Sequence, residues 1–264
     1  MSYRFLDAGN GRKLEEFQNT ITNRPAPAAD FAPKLNTKEW EKATLKYDHE
    51  TGWKGCVPQE WIINIHSIVM RLNPMKSGQV GLFPEHLFHA DFIKSRSSKA
   101  AVLNLFAHTG LLSILLAKYD AAVTHLDAMK SAVDDAKTNA KLNQINSIRW
   151  IVDDAAMFVK REIKRNKKYD AVILDPPAFG RANKNEWKLD RDLPKLIDGI
   201  AELLSKNACY VLLTCHPTHG ELDAYKQLLA NKLPHGKISA GFTPFISESK
   251  QQLPVGLFVR WQRE

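Results

Sequence analysis

The stretch YDAVILDPPAFGR, residues 169–181, combines an apolar run with an abrupt polar end. Four apolar residues, Ala171–Leu174, lead directly into Asp175, and two prolines follow. An apolar run bounded by turn residues predicts a buried strand, and consecutive prolines predict a stiff turn that lacks two backbone donors. The stretch therefore predicts a core strand that brings a carboxylate, a rigid turn, an aromatic ring and a cation to one edge of a sheet.

From residue 100 onward, short apolar runs alternate with amphipathic segments. Strands are predicted at 101–106, 122–126, 148–152, 170–174 and 209–213, helices at 111–117, 130–142, 155–165 and 221–231, and a closing hairpin at 237–245 and 255–261. Strands that alternate with helices indicate βαβ units. The predicted fold class is therefore α/β, with a mostly parallel sheet.

The first 95 residues differ from this pattern. They contain Trp40, Trp53 and Trp61, with prolines between short apolar runs, and the segment 61–72 (WIINIHSIVMRL) has a strand-like composition. We expect a small β-rich N-terminal module over residues 1–95, followed by the sheet domain over residues 96–264.

Polar residues recur where the predicted parallel strands end. In an open α/β sheet, ligands bind outside the carboxyl ends of the strands. Read alone, each acid is more simply a helix N-cap or a solvated loop residue, but the ordered series favours a ligand site. In strand order the residues are Thr109 with Gly110, then Asp127, Asp154, Asp175 and Cys215.

The first turn, NLFAHTG (104–110), limits the choice of ligand. It holds a single glycine, Gly110, whereas a turn that cradles a pyrophosphate needs several. Asp127 follows Gly110 by 17 residues, which suits an acid that binds a ribose diol. The pattern predicts an adenosine without a pyrophosphate, and S-adenosylmethionine (SAM) fits, with its ribose at Asp127 and its adenine amino group at Asp154.

The composition indicates a soluble, basic protein. The 264 residues are 44% hydrophobic and carry a net charge of +8, which favours a polyanionic partner. The run KREIKRNKK (160–168) either tracks phosphates or forms a solvated helix face. The N-terminus has no apolar signal core and no membrane span is evident, so a cytoplasmic location is expected.

The cysteines and histidines do not suggest a metal centre. The three cysteines are widely spaced and form no CxxC pair, which argues against disulfides and zinc. The segment HPTH (216–219) lacks a further ligand pair and is interpreted as a loop. No metal site is predicted.

Four segments, VLNLFAHTG (102–110), THLDAMK (124–130), IRWIVDDA (148–155) and ILDPPAFGR (173–181), resemble class I SAM-dependent RNA methyltransferases. With LDAGNGRKLEEF (6–17), GLFPEH (81–86) and WKLDRDLP (187–194), they resemble the family of the bacterial large-subunit rRNA cytosine-C5 methyltransferase, in a subgroup without the PUA-type RNA-binding domain. This resemblance implies a seven-stranded Rossmann-like sheet. The cofactor-binding residues expected are Asn104, Thr109, Gly110, Asp127 and Asp154, with Phe83 and Pro84 over the cofactor.

The substrate side of the site is expected at DPPAFGR. Asp175 and Pro176 would meet the edge of the target base, Phe179 would stack on a flipped base, and Arg181 would meet phosphate. The partner expected is RNA, in particular ribosomal RNA.

Cytosine C5 is the leading target atom, with Cys215 as the nucleophile. Carbon 5 of cytosine is activated when a thiolate first adds to C6, and Cys215 is expected at the end of the strand beside that of Asp175. The alternative is a small buried cysteine with no catalytic role, in an enzyme that methylates another base atom or another substrate. Two rival classes are an NAD-dependent oxidoreductase, disfavoured by the missing GxGxxG, and a non-catalytic RNA-binding module with a vestigial SAM pocket.

Overall fold

The computed structural model describes residues 3–182, 185–216, 222–233 and 235–263. The chain folds into two compact units. The first comprises Met1–Leu87 with Pro244–Val255, and the second comprises Phe88–Thr243 with Gly256–Glu264.

The first unit is β-rich, as its composition predicts. A five-stranded sheet runs in the order β1-β2-β3-β4-β5, antiparallel except between β3 and β4, and β6 pairs with β7 in a separate hairpin. The elements are β1 (Tyr3–Gly9), β2 (Arg12–Phe17), β3 (Thr20–Pro25), α1 (Thr37–Glu41), β4 (Leu45–Asp48), β5 (Gly52–Gly55), β6 (Ile62–Ile65) and β7 (Ile68–Arg71), followed by a 3-10 helix at Pro84–His89.

The segment Pro244–Val255 packs with the N-terminal strands although it lies near the end of the sequence. Phe245 stacks on Phe5 with ring centroids 4.5 Å apart. Arg4 donates hydrogen bonds of 2.8 and 2.6 Å to the two carboxylate oxygens of Glu248. The strand predicted at 237–245 therefore ends earlier, at Phe242, because the residues that follow leave the sheet to join this core.

The second unit contains the seven-stranded sheet. Its strand order is β10-β9-β8-β11-β14-β16-β15, with β8, β9, β10, β11 and β14 parallel and β16 antiparallel to both of its neighbours. The elements are α2 (Ala90–Ser97), β8 (Ala101–Leu105), α3 (Leu111–Lys118), β9 (Ala122–Asp127), α4 (Lys130–Leu142), β10 (Arg149–Val152), α5 (Ala155–Lys164), β11 (Ala171–Leu174), β12 (Phe179–Ala182), β13 (Asn185–Lys188), α6 (Leu189–Leu203), β14 (Tyr210–Cys215), α7 (Leu222–Lys232), β15 (Gly236–Phe242) and β16 (Leu257–Arg263).

The central strand β11 is buried on both faces, which explains its unbroken apolar run. All four of its residues are fully buried, and they pair in register with β8 on one side and with β14 on the other. A strand covered on both faces needs no polar alternation. The predicted α/β class and the mostly parallel, Rossmann-like sheet are confirmed.

Helix α6 begins earlier than the sequence suggests. Because proline is favoured at the first position of a helix, the sequence predicts a helix that opens at Pro194, but α6 begins at Leu189 and contains Pro194 within it. Leu189 and Leu193 are both buried, so the additional first turn extends the apolar face of the helix. The prediction was wrong because burial of two leucines in the additional first turn outweighs the lost hydrogen bond and the steric strain that a proline inside a helix costs.

Candidate active site

The parallel strands bring the predicted polar residues to one edge of the sheet. Thr109 and Gly110 follow β8, Asp127 is the last residue of β9, and Asp154 follows β10. Asp175 follows β11 in the centre of the sheet, next to the end of β14. Because these strands are parallel, their carboxyl ends share this edge.

The loop between β8 and α3 has an unusual backbone. Phe106 and His108 have φ of 56° and 48°, and Gly110 has φ of 91°. Left-handed conformations are costly for bulky residues and concentrate at functional sites. A Cβ at Gly110 would also lie 3.0 Å from the Cβ of Ala136, so both the backbone and the close packing require glycine here.

Asp127 holds two loops together. Its Oδ2 accepts a hydrogen bond of 2.9 Å from the His108 N–H, and its Oδ1 accepts one of 2.9 Å from the Met129 N–H. Each carboxylate oxygen has a second lone pair, so Asp127 can accept further hydrogen bonds from a ligand diol. The position of this carboxylate is therefore set by the backbone on both sides of it.

Asp154 is the N-cap of α5. Its Oδ1 accepts a hydrogen bond of 2.9 Å from the Met157 N–H. The preceding residue, Asp153, forms an ion pair with Arg161. The capping role, which is the simpler interpretation of this acid, is thus present and uses one of its two carboxylate oxygens.

Asn104 lies inside the sheet, ahead of the loop. It is buried, and its amide donates a hydrogen bond of 2.9 Å to the hydroxyl of Ser113, which in turn lies 2.9 Å from Nδ1 of His125. Burial, followed by the proximity of His108, lowers the pKa of His125 to about 3. This network links β8, α3 and β9 beneath the loop, and a role of Asn104 at a cofactor stays a prediction.

Asp175 is held in place by the neighbouring strand. Its N–H donates to the Leu105 carbonyl at 3.4 Å, and its Oδ1 accepts a hydrogen bond of 2.7 Å from the hydroxyl of Thr214. Pro176 is buried and continues the turn. Thr214 was not predicted as a site residue, although the period of two along β14 was the available signal.

Cys215 points away from Asp175. Thr214 and Cys215 are consecutive in β14, so their side chains lie on opposite faces of the sheet. Cys215 is only 1% exposed and belongs to the apolar core with Leu213 and Leu257. Burial, followed by the charges of Asp175 and Asp190, raises the pKa of the Cys215 thiol to about 12.

A hairpin that the sequence analysis missed extends from this edge. β12 and β13 pair antiparallel, with Gly180 opposite Trp187. The Trp187 indole donates a hydrogen bond of 2.7 Å to the Pro177 carbonyl, and its ring lies 5.1 Å from that of Phe106. The only signal was the turn-forming composition of residues 183–185. Trp187 thus connects the loop after β8 to the diproline turn.

Two predicted substrate-binding residues lie in this hairpin. Phe179 is the first residue of β12 and is 53% exposed, so its ring is accessible. The backbone of Arg181 belongs to the same strand, but its side chain lies outside the described residues.

A match to a known family model over most of the sequence identifies the family. The family model described as S-adenosylmethionine-dependent methyltransferase matches residues 11–226 of the chain. This chain belongs to that methyltransferase family. It is therefore an enzyme that uses SAM, and neither an NAD-dependent oxidoreductase nor a vestigial binding module.

A solved structure supports the assignment over the whole chain. The SAM-dependent methyltransferase from Agrobacterium tumefaciens is 29% identical, with a TM-score of 0.94, and the match covers 100% of this chain and 91% of that one. The seven-stranded class I methyltransferase sheet is thereby confirmed.

Curated relatives match a shorter region. Ribosomal RNA large subunit methyltransferase K from Neisseria meningitidis is 29% identical over 185 residues, which is 67% of this chain and 51% of that protein. Ribosomal RNA large subunit methyltransferase K/L from Shewanella frigidimarina is 29% identical over 178 residues, or 66% of this chain and 24% of that protein. The chain thus matches between a quarter and a half of these relatives. The finer assignment, to the enzymes that methylate cytosine C5, stays a prediction.

The residues of the methyltransferase sheet fit SAM. The loop after β8 has one glycine and left-handed backbone at three positions, and it leads directly into the N-terminus of α3. Backbone N–H groups at a helix N-terminus favour a small anion such as a carboxylate. Asp127 retains lone pairs for a ribose diol. A dinucleotide would instead need a glycine-rich turn for its pyrophosphate.

Phe83 and Pro84 belong to the first unit. Pro84 opens the 3-10 helix, and the Phe83 ring stacks against His86 with centroids 5.9 Å apart. Their predicted contact with the cofactor stays a prediction.

The described residues contain neither a group of side chains that could hold a metal ion nor a helix that could span a membrane. Within residues 3–182, 185–216, 222–233 and 235–263, no three His, Cys, Asp or Glu side chains are grouped so that they could hold a metal ion. Over the same ranges, no helix has the length and apolar character to cross a membrane.

Proposed function

We propose that this methyltransferase modifies RNA of the large ribosomal subunit, at a nitrogen atom of a base. The substrate class is supported by the names of the curated relatives. It is also supported by charge: the second unit carries 25 Lys and Arg against 18 Asp and Glu, whereas the first unit carries 12 against 11. The excess of positive charge thus accompanies the methyltransferase sheet, as expected for a polyanionic substrate.

We propose a nitrogen because Thr214 and Cys215 point to opposite faces of the sheet, so that Thr214 and not Cys215 lies on the side of Asp175. Addition to C6 of cytosine requires a thiolate that reaches the base. Cys215 faces the apolar core, and burial keeps its thiol protonated at neutral pH. A nitrogen lone pair needs no covalent activation, and Thr214 orients Asp175 toward that edge. We therefore infer that Cys215 has a packing role.

The chemistry divides between the cofactor and the chain. SAM, when bound, supplies an electrophilic methyl group. The Asp175 carboxylate accepts a hydrogen bond from an N–H of the target base and so orients the nitrogen lone pair. The turn of Pro176 and Pro177 keeps this carboxylate rigid, and the exposed ring of Phe179 stacks on the base. Arg181 contacts phosphate.

The cofactor-binding roles are part of the same proposal. Asp127 would bind the ribose diol, and Asp154 the adenine amino group, through the carboxylate oxygen that does not cap α5. The loop that contains Thr109 and Gly110 would hold the methionine carboxylate. Asn104 would support that loop from below through Ser113. An enzyme of ribosomal RNA would act in the cytoplasm, as the sequence predicts.

The test is to identify the methylated nucleoside. Ribosomal RNA from cells that lack the protein is incubated with the enzyme and radiolabelled SAM, digested to nucleosides and separated. An N-methylated nucleoside in large-subunit RNA is the expected result, with both wild-type enzyme and Cys215→Ala. The appearance of 5-methylcytidine, lost in Cys215→Ala, would contradict the nitrogen target. No labelled RNA of any kind would contradict the substrate class.

A further inference from the structure

We propose that α2 and β16 form an RNA-docking surface that begins beside the methyl-transfer site and recognises phosphates with two arginines and a base with an exposed phenylalanine. We call it the arginine surface, and it consists of Phe88, Phe92, Arg96, Phe258 and Arg260. All five residues belong to the second unit. The inference rests on the proposed RNA substrate.

The two arginines pack against the same aromatic ring. The guanidinium carbons of Arg96 and Arg260 each lie 4.5 Å from the ring centroid of Phe92. Arg260 also lies 4.7 Å from the Phe258 centroid and 5.3 Å from that of Phe88. Stacking on rings orients a guanidinium plane and leaves its edge N–H groups for an anion.

Neither guanidinium has an acidic partner within the described ranges. Arg96 donates to the Phe92 carbonyl and the Ser95 hydroxyl, and Arg260 lies 2.6 Å from Nδ1 of His89. Nε of Arg260 is buried and makes no hydrogen bond to a described residue. Burial, and then the charge of Arg96, lowers the pKa of Arg260. Two partly buried cations without a counter-charge are unfavourable, and a bound phosphate would relieve that cost.

The arginine surface begins beside the site and extends over one face of the sheet toward the amino ends of the parallel strands. Phe258 in β16 pairs with Thr214 in β14, and Thr214 is the residue that holds Asp175. Paired residues point to the same face, and Arg260 follows Phe258 by two positions, so it lies on that face as well. Arg260 pairs with Leu212, two residues nearer the start of β14. Arg96 lies farther along, since the hydroxyl of the next residue, Ser97, is 2.8 Å from that of Tyr210, the first residue of β14. An RNA strand whose target base reaches Asp175 can therefore continue over the arginine surface.

Phe88 supplies the base contact. It is 43% exposed, while its ring packs 5.4 Å from that of Phe258. Proteins that bind single-stranded RNA place exposed aromatic rings between basic groups, so that bases stack on the rings while the basic groups contact phosphates. Phe88 has this arrangement.

The basic run at 160–168 provides a matched control. Helix α5 starts at the carboxyl edge and runs back toward the amino ends of the strands, because it leads from the end of β10 to the start of β11. Its ten residues span about 15 Å. The exposed side chains of Lys164 and Lys167 lie at the end of this helix and just beyond it. Because Phe158 and Val159 of α5 pack in the same apolar cluster as Cys215, α5 covers the face of the sheet opposite to that of Thr214 and Arg260.

The experiment measures the salt dependence of RNA binding for three proteins. They are the wild type, the double variant Arg96→Gln/Arg260→Gln, and the control double variant Lys164→Gln/Lys167→Gln. The probe is a fluorescent single-stranded RNA of mixed sequence, about 20 nucleotides long so that it exceeds the site size of a typical single-strand binding fold. Calorimetry with S-adenosylhomocysteine checks that each variant retains its fold.

The arginine double variant should lose two phosphate contacts. Its slope of log affinity against log salt should shrink by about 1.4, and its affinity should fall about 10-fold or more at low salt. The control should match the wild type. If the arginine variant does not fold, Arg96→Gln alone should reduce the slope by about 0.7.

Phe88→Ala tests the stacking contact separately. Its affinity should fall about 5-fold or more with the salt slope unchanged, because stacking releases no counterions. An arginine variant that binds like the wild type, an equal loss in the control, or an unaffected Phe88→Ala overturns the docking surface and leaves the proposed function standing. A wild type that binds no RNA overturns both.

Discussion

The hydroxyl of Thr214 donates a hydrogen bond of 2.7 Å to the carboxylate of Asp175, across two neighbouring parallel strands. The bond fixes the position of one carboxylate oxygen at the carboxyl edge of the sheet. Thr214→Val should lower kcat about 10-fold to 100-fold, because a hydrogen bond to a charged group contributes about 1.5–3 kcal/mol. The measurement is methyl transfer to RNA, with affinity for S-adenosylhomocysteine as the control. Equal losses of both quantities would show that Thr214 acts on the cofactor instead.

Cys215→Ala should remain active. The thiol faces the core and its pKa is raised to about 12, so we expect methylation within about 3-fold of the wild-type rate, with a stability loss of about 1 kcal/mol from the smaller side chain. Rates and urea unfolding of the same preparation measure the two effects. RNA that contains 5-fluorocytosine should not become covalently attached to the wild type. Trapping that disappears in Cys215→Ala would restore the cysteine as nucleophile.

Asp127→Asn should weaken cofactor binding about 10-fold to 100-fold, since a charged acceptor of diol hydrogen bonds is lost. Calorimetry with SAM measures the change. Asp134→Asn on α4 is the matched control, because its pairing with Lys130 is solvent-exposed and contributes little. An equal effect of both substitutions would argue that net charge, rather than the position of Asp127, determines affinity.

Gly110→Ala should destabilise the protein more than Gly11→Ala. Both glycines have positive φ, 91° and 71°, but a Cβ at Gly110 meets Ala136 at 3.0 Å, whereas a Cβ at Gly11 meets no atom within 4 Å. The left-handed backbone alone costs about 1–2 kcal/mol, and the clash adds to it at Gly110 only. Urea unfolding at pH 7 compares the variants. Equal losses would show that the loop relaxes to accommodate the methyl group.

His125 should make the protein sensitive to acid. Its pKa is lowered to about 3 in the folded state, whereas an unfolded histidine titrates near 6.5. Below about pH 6.5, His125 binds a proton in the unfolded chain but not in the folded chain. The stability contributed by neutral His125 is therefore complete above about pH 6.5 and decreases as the pH falls toward 3. Between pH 7 and 5, this residue should account for about 2 kcal/mol of lost stability.

A comparison of the wild type with His125→Gln and His49→Gln isolates the contribution of His125 to the pH dependence of stability. His125→Gln should lose less stability than the wild type over the same pH interval, measured by urea unfolding at each pH. His49→Gln, at an exposed position, should behave like the wild type. A His125→Gln variant with the wild-type pH dependence would show that His125 is protonated in the folded protein.

Much of the fold could be predicted because the signals are local. An apolar run that ends in Asp175 identifies a strand and its direction, and the same pattern at Asp127 places a second strand. Residues such as Trp187 and Thr214 escaped prediction because their roles depend on what lies across a hairpin or a neighbouring strand. The hairpin at Phe179–Lys188 has short strands and weak turn signals, so only tertiary structure shows that Trp187 reaches the Pro177 carbonyl.

The sequence by itself determined the α/β class, the order of polar strand ends and, through the missing glycine-rich turn, a SAM-type cofactor. These follow from periodicity and from single residue types, which the chain carries regardless of its partners. Tertiary structure alone decided that Thr214 faces Asp175 while Cys215 faces the core, because sheet pairing selects the buried face. It also decided that Arg96 and Arg260 meet around Phe92, since residues far apart in sequence become neighbours only when β16 joins the sheet.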